Sequence, residues 1–497
     1  MANDATTRSK VPVLIGDRWH VPAVQSFGDV HDPSSGRVIA QVPMGTAAEV
    51  DEAVQNAQAA YRTWSTTPAT KRAAVLFRYK ALLEEHLEKL ADLITLENGK
   101  TLDESRGDVR RGIEVVDYAC GIAHLAKGET LPQVSEHIDG LTMREPIGVC
   151  AGITPFNFPA MVPLWMFPMA IGCGNSFILK PSEKVPLTAV RLAELALEAG
   201  LPAGVLNVVH GGRDVVDAIC AHRGISAVSF VGSTDVAEHV YKTSCAAGKR
   251  VQAAGGAKNV MVVMPDAELD STVRAVIGAA FGCAGQRCMA GSILMGVGDA
   301  AEPLKERVAT GLGELKVDNT VTNPDAQMGP LIDGAARDRV IRYIEAGCSH
   351  GATLVRDGRR DVPTNGGYFL RPTLFDGVTP DMDIARDEVF GPMLSMLRPK
   401  DLGEAIAWAN RNPYGNGAVI FTTSGGAARQ FAGEIQCGMV GVNVGVPAPT
   451  ALFSFSGWNR SFFGDLHIQG HESVMFYTRQ KLVLSRWDAT YHRVRGW

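Results

Sequence analysis

Segments with the character of β-strands alternate with segments of helical periodicity between residues 148 and 245. The pattern predicts strands over residues 148–153, 176–179, 205–209 and 227–231, with helices over residues 159–173, 188–199, 213–221 and 236–245. This alternation favours a parallel sheet with helices on both faces, because parallel neighbours need a crossover between them. A second alternating region, from about residue 260 to 442, predicts a separate α/β domain. The fold class is therefore predicted to be α/β with two doubly wound domains.

The flanking regions follow other patterns. The first 45 residues combine short apolar pieces with turns and predict a small, strand-rich arm. Residues 47–63, 71–98 and 101–124 carry apolar residues at spacings of three and four, which predicts three helices. Residues 473–486 contain apolar residues common in strands and predict an added strand near the end of the chain, which could pair with another subunit.

Composition narrows the classes of function. A chain of 497 residues is too long for one small core, and its 46% apolar and 20% charged residues are typical of a globular protein. A net charge of −5 provides no basic field for nucleic acid or an anionic membrane. The most apolar stretch, residues 161–171, is too short to span a bilayer and contains Pro163 and Pro168. The first ten residues lack the apolar centre of a signal peptide, so a cytoplasmic location is expected.

Cysteine usage indicates a reducing compartment. The nine cysteines are odd in number and irregularly spaced, which is unlike a disulfide framework in a small secreted domain. Neither a Cys-x-x-Cys pair nor a histidine-rich cluster is present, so no metal site is predicted.

Cys288 is the candidate nucleophile. It lies in the segment Phe281-Gly-Cys-Ala-Gly-Gln-Arg-Cys-Met-Ala290, directly after Arg287. A neighbouring cation lowers the pKa of a thiol and favours the nucleophilic thiolate. The alternative is that Cys288 is a buried, inert cysteine that packs like a small hydrophobic residue. Cys283, five residues upstream, is interpreted as packing, with a disulfide to Cys288 under oxidation as the alternative.

Three turns follow predicted strands, at the edge where doubly wound sheets bind dinucleotides. The turn with Gly232 and Ser233 precedes a helix whose free N–H groups suit a pyrophosphate, although glycine turns are common. The second turn, at residues 179–184, contains the charged residues Lys180, Glu183 and Lys184. Taken alone, it is interpreted as a solvated charged loop. Asn157, in Ile153-Thr-Pro-Phe-Asn-Phe-Pro159, is either a donor to an oxyanion or a turn-forming asparagine between prolines.

The segment around Cys288 resembles the nucleophile motif of the aldehyde dehydrogenases, and Ala253-Ala-Gly-Gly-Ala-Lys-Asn259 resembles the family motif upstream of it. The resemblance implies two doubly wound domains with a small β bridging element, and an oxyanion hole formed by Asn157 and the backbone N–H of Cys288. It also implies an NAD site in which Lys180 and Glu183 hold the adenosine ribose and Glu388 holds the nicotinamide ribose. The cofactor residues that it implies are Thr154, Phe156, Lys180, Glu183, Lys184, Gly232, Ser233, Gly255, Glu388 and Phe390.

The carboxylate of Glu183 would repel a 2′-phosphate, so NAD is expected rather than NADP, although Lys180 and Lys184 soften this preference.

Most members of the family have a glutamate base at the position of Ala254. Without a base, the thioester on Cys288 either reacts slowly with water or awaits a better nucleophile. A thiol such as coenzyme A needs less help, because it is partly ionised near neutral pH and is intrinsically nucleophilic. The chain also resembles the CoA-acylating, methylmalonate-semialdehyde branch of the family, in Gly152-Ile-Thr-Pro-Phe-Asn-Phe-Pro-Ala-Met161, Gly285-Gln-Arg-Cys-Met-Ala290 and Val262-Val-Met-Pro-Asp-Ala267. Members of that branch oxidise malonate or methylmalonate semialdehyde and release acetyl-CoA or propionyl-CoA with decarboxylation.

The substrate carboxylate of that branch calls for arginine, whose planar fork binds carboxylates bidentately. Arg111 and Arg287 match the branch, although Arg111 taken alone reads as a surface residue of a helix. The chain departs from the branch at Ala254, where Asn is usual, and at Val260, where His is usual. The bulky loop at residues 457–461 also differs, so another short acidic aldehyde would fit equally well.

The sequence thus predicts an NAD-dependent, CoA-acylating semialdehyde dehydrogenase that forms a homodimer or homotetramer. A hydrolytic aldehyde dehydrogenase and a catalytically weak NAD-binding protein are the alternatives. The predicted dinucleotide-binding domain comprises residues 1–130 and 151–255, the catalytic domain residues 256–445, and the bridging element residues 131–150 and 470–497.

Overall fold

The computed structural model describes residues 9–487, so the parts of the predicted domains at residues 1–8 and 488–497 lie outside the described residues. The strands are β1 (Val13–Ile15), β2 (Arg18–His20), β3 (Phe27–Asp32), β4 (Arg37–Pro43), β5 (Thr130–Ser135), β6 (Ile138–Pro146), β7 (Val149–Ile153), β8 (Ser176–Lys180), β9 (Leu206–Val208), β10 (Ile225–Val231), β11 (Arg250–Ala254), β12 (Asn259–Val263), β13 (Gly291–Gly296), β14 (Thr353–Arg356), β15 (Thr373–Asp376), β16 (Met393–Leu397), β17 (Tyr414–Gly415), β18 (Gly417–Phe421), β19 (Met439–Val442), β20 (Trp458–Asn459), β21 (Phe462–Phe463) and β22 (Thr478–Arg486).

The helices are α1 (Ala47–Trp64), α2 (Ala69–Glu85), α3 (Leu87–Asn98), α4 (Leu102–Cys120), α5 (Ile122–Leu125), α6 (Met161–Gly172), α7 (Pro186–Glu198), α8 (Arg213–Ala221), α9 (Thr234–Ala246), α10 (Leu269–Phe281), α11 (Ala301–Glu314), α12 (Gly334–Ser349), α13 (Asp383–Arg386), α14 (Leu402–Asn410), α15 (Gly425–Glu434) and α16 (Gly470–Tyr477). Short 3₁₀ turns lie at Gly282–Gly285 and Gly298–Ala300.

The first large sheet has the strand order β2-β1-β9-β8-β7-β10-β11-β21 among the described residues. Strands β7 to β11 pair in parallel, whereas β1 and β21 pair with the sheet antiparallel. Strands β7 and β8 are buried along their whole length, because helices cover both faces of the sheet. The chain builds the sheet outwards from β7 in both directions, so its topological switch point lies between β7 and β10.

The second large sheet has the order β14-β15-β16-β13-β12-β18-β19 in the described chain and is parallel except at its β14 edge. Its switch point lies between β12 and β18. The loop that carries Cys288 connects α10 to β13, the strand next to β12. The two sheets confirm the predicted α/β class with doubly wound topology.

A third sheet joins two distant parts of the chain. Strand β22 pairs antiparallel with β6 from Thr478 opposite Pro146 to Arg486 opposite Ile138, and β5 pairs with the other edge of β6. Among the described residues, no helix has the length and apolar character needed to cross a membrane.

Three local predictions differ from the structure. The helix predicted over residues 71–98 is broken at His86, which separates α2 from α3, and the helix predicted over residues 101–124 ends at Cys120. The strand predicted over residues 473–486 begins only at Thr478, because α16 precedes it. Phe476 and Tyr477 are fully buried from that helix, so tertiary packing overrides the strand preference of aromatic residues.

Candidate active site

A left-handed turn presents Cys288. Cys283, Ala284 and Gly285 have φ values of 50°, 53° and 70°. A Cβ on Gly285 would lie 2.3 Å from the carbonyl oxygen of Gly391, so only glycine fits there. The turn closes α10 and places Cys288 at the border of two cavities of about 450 and 710 Å³. The candidate nucleophile Cys288 therefore borders both cavities.

Hydrogen bonds fix the backbone of Cys288. Its carbonyl oxygen accepts from Nδ2 of Asn259 at 2.8 Å and from Nδ2 of Asn416 at 3.0 Å. Burial raises the pKa of the Cys288 thiol, and the backbone N–H groups of Cys288 and Met289 act against this rise. Preorganised N–H groups at this position can also receive the oxygen of a reacting carbonyl.

Arg287 acts to lower the pKa of the Cys288 thiol, as expected from the sequence, but burial and Glu388 outweigh it. Burial, followed by the charge of Glu388, raises the pKa of the Cys288 thiol to about 12, and Arg287 opposes this only weakly. The guanidinium of Arg287 is engaged elsewhere, since its Nε donates to Cys283 Sγ at 3.2 Å and its Nη2 to Glu104 at 3.2 Å. Cys283 is a free, buried thiol.

Asn157 lies just beyond the end of β7, beside the nucleophile loop. Its side-chain Nδ2 donates to the backbone carbonyl of Gln286 at 3.0 Å, and the residue is buried. Its own backbone carbonyl accepts from Lys100 Nζ at 2.7 Å. These contacts hold the amide of Asn157 close to Cys288, where it can contribute to an oxyanion hole.

Residues at the start of helix α4 hold the two loops that form the candidate active site. Lys100 forms an ion pair of 3.0 Å with Asp108, and both side chains are almost completely buried. Asp108 also accepts from the backbone N–H of Met161 at 2.7 Å. Glu104, in the capping box that begins α4, accepts from the backbone N–H of Cys283 at 2.6 Å. The start of α4 thereby ties the Asn157 turn to the nucleophile loop.

The smaller cavity, of about 450 Å³, is the candidate substrate cavity. Its apolar wall includes Phe158, Met161, Trp165 and Phe455. Arg111 and Arg287 both border it, as the sequence interpretation of a carboxylate site requires.

Each of these two arginines already has a carboxylate partner. Arg111 donates to Glu114 at 2.9 Å on the surface of α4, with a side chain that is 39% exposed, and Arg287 pairs with the partly buried Glu104. An exposed pair of this kind contributes little to stability, so Arg111 is the guanidinium that a substrate can recruit most easily.

The larger cavity, of about 710 Å³, lies at the switch point of the first sheet. All ten residues that the sequence assigned to the cofactor border it: Thr154, Phe156, Lys180, Glu183, Lys184, Gly232, Ser233, Gly255, Glu388 and Phe390. Sequence reasoning missed Arg213, Asp217, His239 and Arg339, which also border this cavity. The signal for Arg213 was available, because Gly211 and Gly212 mark a fourth turn between a strand and a helix, after β9.

The turn after β8 suits a ribose. Lys180 Nζ donates to Glu183 at 3.1 Å, and although burial acts to raise it, Lys180 and Lys184 hold the pKa of the Glu183 carboxyl below its usual range. Lys184 is itself paired with Asp333 at 2.6 Å and lies 5.2 Å above the ring of Phe156. The positive charge of Lys184, which was expected to weaken the preference for NAD over NADP, is therefore largely compensated by Asp333.

The start of α9 suits a pyrophosphate. Ser233 is the N-cap residue of this helix, yet its side chain makes no capping hydrogen bond, so its hydroxyl remains available at the cavity. A Cβ on Gly232 would lie 2.5 Å from the ring of Phe230, so glycine is required there. Free helix N–H groups and a close backbone approach are the features that bind phosphates.

Two aromatic rings and one carboxylate form the inner end of this cavity. Phe156 and Phe390 meet edge to face at 5.9 Å. Glu388 Oε1 accepts from the backbone N–H of Ala257 at 3.0 Å, and burial raises the pKa of Glu388 to about 7. Ala254, the last residue of β11, is buried against apolar neighbours and offers no proton acceptor at its own side chain.

Comparisons with known proteins agree with this geometry. Residues 20–483 match the aldehyde dehydrogenase family. Malonate-semialdehyde dehydrogenase 1 of Geobacillus thermodenitrificans is 52% identical over 474 residues, which cover 95% of this chain and 98% of that protein. The crystal structure of methylmalonate-semialdehyde dehydrogenase from Oceanimonas doudoroffii is 46% identical, with a TM-score of 0.95 over 97% of this chain and 99% of that chain. A point mutant of betaine aldehyde dehydrogenase from Staphylococcus aureus, in complex with NAD+, is 28% identical with a TM-score of 0.92 over 97% of each chain.

Proposed function

This chain belongs to the aldehyde dehydrogenase family, and we propose that it oxidises malonate or methylmalonate semialdehyde with NAD and transfers the acyl group to coenzyme A. The product is acetyl-CoA or propionyl-CoA, formed with decarboxylation. One observation carries the proposal: Cys288 borders a cavity with two arginines and a dinucleotide-sized cavity, while Ala254 provides no base for water. The relatives named for these semialdehydes support the choice of substrate.

In the first step, the Cys288 thiol releases its proton to solvent as its sulfur adds to the aldehyde carbon. The amide N–H of Asn157 and the backbone N–H of Cys288 stabilise the oxyanion that forms. NAD, when bound by the residues of the larger cavity, supplies the hydride acceptor. Phe156 and Phe390 border the same cavity as Cys288. The residue left on Cys288 is a thioester.

Release of the thioester requires a nucleophile. Ala254 cannot deprotonate water, and hydrolysis is expected to be slow for that reason. A thiol attacks more readily because it is more nucleophilic and more acidic than water. Coenzyme A is therefore the acyl acceptor that suits this site.

Recognition of the acidic substrate is assigned to Arg111 and Arg287. Arg111 can exchange Glu114 for the substrate carboxylate, since an exposed pair on one helix contributes only about 0.3–0.5 kcal/mol. Arg287 stays on Glu104 and contributes from a fixed position. We therefore expect Arg111 to have a larger effect than Arg287 on the selection of acidic over neutral aldehydes.

The test is product analysis by mass spectrometry, with NAD and either semialdehyde, in the presence and absence of coenzyme A. We expect acetyl-CoA or propionyl-CoA, and turnover beyond one equivalent of NADH only when coenzyme A is present. Free acid at the same rate in both mixtures would show that water is the acceptor and would overturn the proposal.

We further propose that the chain works in the cytoplasm as a homodimer or homotetramer. Its described cysteines are all free, in keeping with a reducing compartment. Large apolar side chains remain exposed on the β5–β6–β22 sheet: Leu131, Val134, Leu141, Met143, Leu482 and Leu484. Directly paired residues share a face of the sheet, so Leu131, Leu482 and Leu484 lie on the face of Gly140, whereas Leu141 and Met143 lie on the opposite face. The apolar face with Leu131, Leu482 and Leu484 suits contact with another copy of the chain.

The three sheets also support, as a proposal, the division into residues 1–130 with 151–255, residues 256–445, and residues 131–150 with 470–497.

A further inference from the structure

Transfer of the acyl group from Cys288 to coenzyme A exchanges one carbon–sulfur bond for another. It also requires the transfer of a proton. The attacking thiol must lose a proton, and the departing Cys288 sulfur must gain one because burial strongly favours its neutral form. The side chain of Ala254 can do neither. Another group that reaches the same cavity has to carry this proton if the reaction is to be fast near neutral pH.

Glu388 has the position for this task. Its Oε2 lies against the backbone of Gly256, where a Cβ would be only 2.3 Å away, so the carboxylate occupies space beside the segment in which the family base is missing. Glu388 borders the same cavity as Cys288. Oε1 is held by the N–H of Ala257, while Oε2 has no hydrogen-bond donor among the described residues. The Glu388 carboxylate is thus held in place through Oε1, while Oε2 can accept a proton or a hydrogen bond from a ligand.

Two other carboxylates near the nucleophile loop, those of Glu104 and Asp108, are unsuited to the role. Glu104 already accepts from the backbone N–H groups of Thr101 and Cys283 and from the guanidinium of Arg287. Asp108, in the same region, is engaged by Lys100 and by the N–H of Met161. The charge of Glu388 is also the main electrostatic effect, after burial, that raises the pKa of the Cys288 thiol.

We propose that Glu388 is the general base that deprotonates coenzyme A during deacylation, in place of the base that Ala254 lacks. This inference rests on the proposed function. As the thiol sulfur bonds to the thioester carbon, its proton passes to Oε2 of Glu388. The carbon–sulfur bond to Cys288 then breaks, and Glu388 returns the proton to the departing sulfur. The step is redox-neutral and regenerates the Cys288 thiol.

The surroundings of Glu388 suit proton exchange near neutral pH. Burial raises the pKa of Glu388 to about 7, opposed by the N–H of Ala257 and by the cations Lys258 and Arg339. Tyr414 and Cys288 are the other titratable groups that face it. Burial lowers the pKa of Lys258 to about 8, and its Nζ has no hydrogen-bond partner within the described chain. A general base works best when its pKa lies near the working pH.

The experiment isolates deacylation from cofactor binding. Acylation by p-nitrophenyl acetate needs no NAD, so an acetyl-Cys288 enzyme can be prepared, freed of excess ester and verified by intact mass. Its decay is then followed by mass spectrometry with and without coenzyme A, for the wild type and for Glu388→Gln. We expect the variant to react with coenzyme A at least about 10²-fold more slowly at pH 7.5, which is the usual size of a general-base contribution.

A second thiol separates catalysis from positioning. A nitrothiophenol is already ionised at this pH and has no proton to lose, so the wild type and Glu388→Gln should react with it at similar rates. For coenzyme A, the rate of the variant should rise with the thiolate fraction, whereas the wild-type rate should level off above neutral pH. Asp387→Asn, which neutralises the adjacent carboxylate, is the matched control and should resemble the wild type.

Equal rates with coenzyme A in the wild type and in Glu388→Gln would overturn the inference. An equal loss with both thiols would also overturn it, because Glu388 would then only support the structure. Failure of the proposed function looks different: the wild-type acetyl enzyme would then decay no faster with coenzyme A than with water.

Discussion

Lys100 Nζ donates a hydrogen bond of 2.7 Å to the backbone carbonyl of Asn157 and forms an ion pair of 3.0 Å with Asp108. A buried ion pair at the start of α4 therefore holds the turn that carries Asn157, the proposed oxyanion donor. Because Glu104 on the same helix holds the Cys283 backbone, α4 sets the separation between Asn157 and the nucleophile loop.

Lys100→Met tests this support. The substitution leaves Asp108 buried without its cation, and removal of one partner of a buried pair costs about 3–5 kcal/mol. We expect a loss of this size in the free energy of unfolding, measured by denaturant titration, together with lower kcat. Lys127→Met changes an exposed lysine and should stay within about 0.5 kcal/mol of the wild type. An unchanged stability in Lys100→Met would show that the pair is not a structural support.

Asn157→Ala removes the proposed oxyanion donor. Loss of one such donor typically lowers kcat by about 10²–10³-fold. The pre-steady-state formation of NADH should fall by this factor, while the protein still binds NAD. Asn157 also donates to Gln286, so the melting temperature of the variant must be measured in parallel. A burst as fast as that of the wild type would exclude Asn157 from catalysis.

Arg111→Gln tests recognition of the substrate carboxylate. We expect KM for malonate semialdehyde to rise at least about tenfold, with little change for propanal, which lacks the carboxylate. Glu114→Gln is the matched variant, because it removes the competing partner of Arg111, and it should leave KM unchanged or lower it. Equal effects of Arg111→Gln on both aldehydes would refute the assignment. Arg287 variants are expected to affect both aldehydes more, because Arg287 also contacts Glu104 and Cys283.

Glu183→Gln tests cofactor choice. The Glu183 carboxylate is ionised beside Lys180 and would repel a 2′-phosphate. The wild type should therefore prefer NAD, and the variant should raise kcat/KM for NADP relative to NAD by about tenfold. Asp333→Asn releases Lys184 and should act in the same direction. Equal turnover of NAD and NADP by the wild type would show that Glu183 does not select the cofactor.

Glu97 predicts a pH dependence of stability. Its carboxylate accepts from the backbone N–H groups of Leu187 and Thr188 at the start of α7, and burial raises its pKa from 4.5 to about 7. The folded protein then binds this proton more tightly than the unfolded chain, so the stability contributed by Glu97 is present below about pH 4.5 and is lost as the pH rises to about 7.

Glu97→Gln cannot titrate, so the stability of the wild type relative to this variant should fall by up to about 3 kcal/mol between pH 5 and pH 8. Denaturant titrations at both pH values measure the difference. A difference that is constant with pH would contradict the raised pKa of Glu97.

Much of the fold follows from local sequence patterns. The apolar segments that became β7, β8, β10 and β12 are continuous and bounded by turns, which is the pattern of strands buried on both faces. Where packing decided between two local structures, the prediction was wrong. Val474, Phe476 and Tyr477 have strand preference, but they form part of α16 because the core buries them there.

Cofactor residues could be proposed one turn at a time, since parallel strands end at the same edge of a sheet. The neutralisation of Lys184 by Asp333 could not be proposed in this way, because 149 residues separate the two in sequence. The same holds for the contact of Arg287 with Glu104, which engages the guanidinium expected to lower the pKa of Cys288.

The sequence by itself determined the α/β class and the turns that follow the strands, and it identified Cys288 as the candidate nucleophile and Ala254 as the position without a base. These features depend on residue type and on the spacing of residues that are close together in the sequence, so they can be recognised without the tertiary structure. Only the tertiary structure decided the charge state and the partners of each group: the raised pKa of Cys288, the engaged guanidinium of Arg287 and the open oxygen of Glu388 beside Gly256. Burial and the distance between charges set those properties, and both depend on contacts between residues that are remote in the chain.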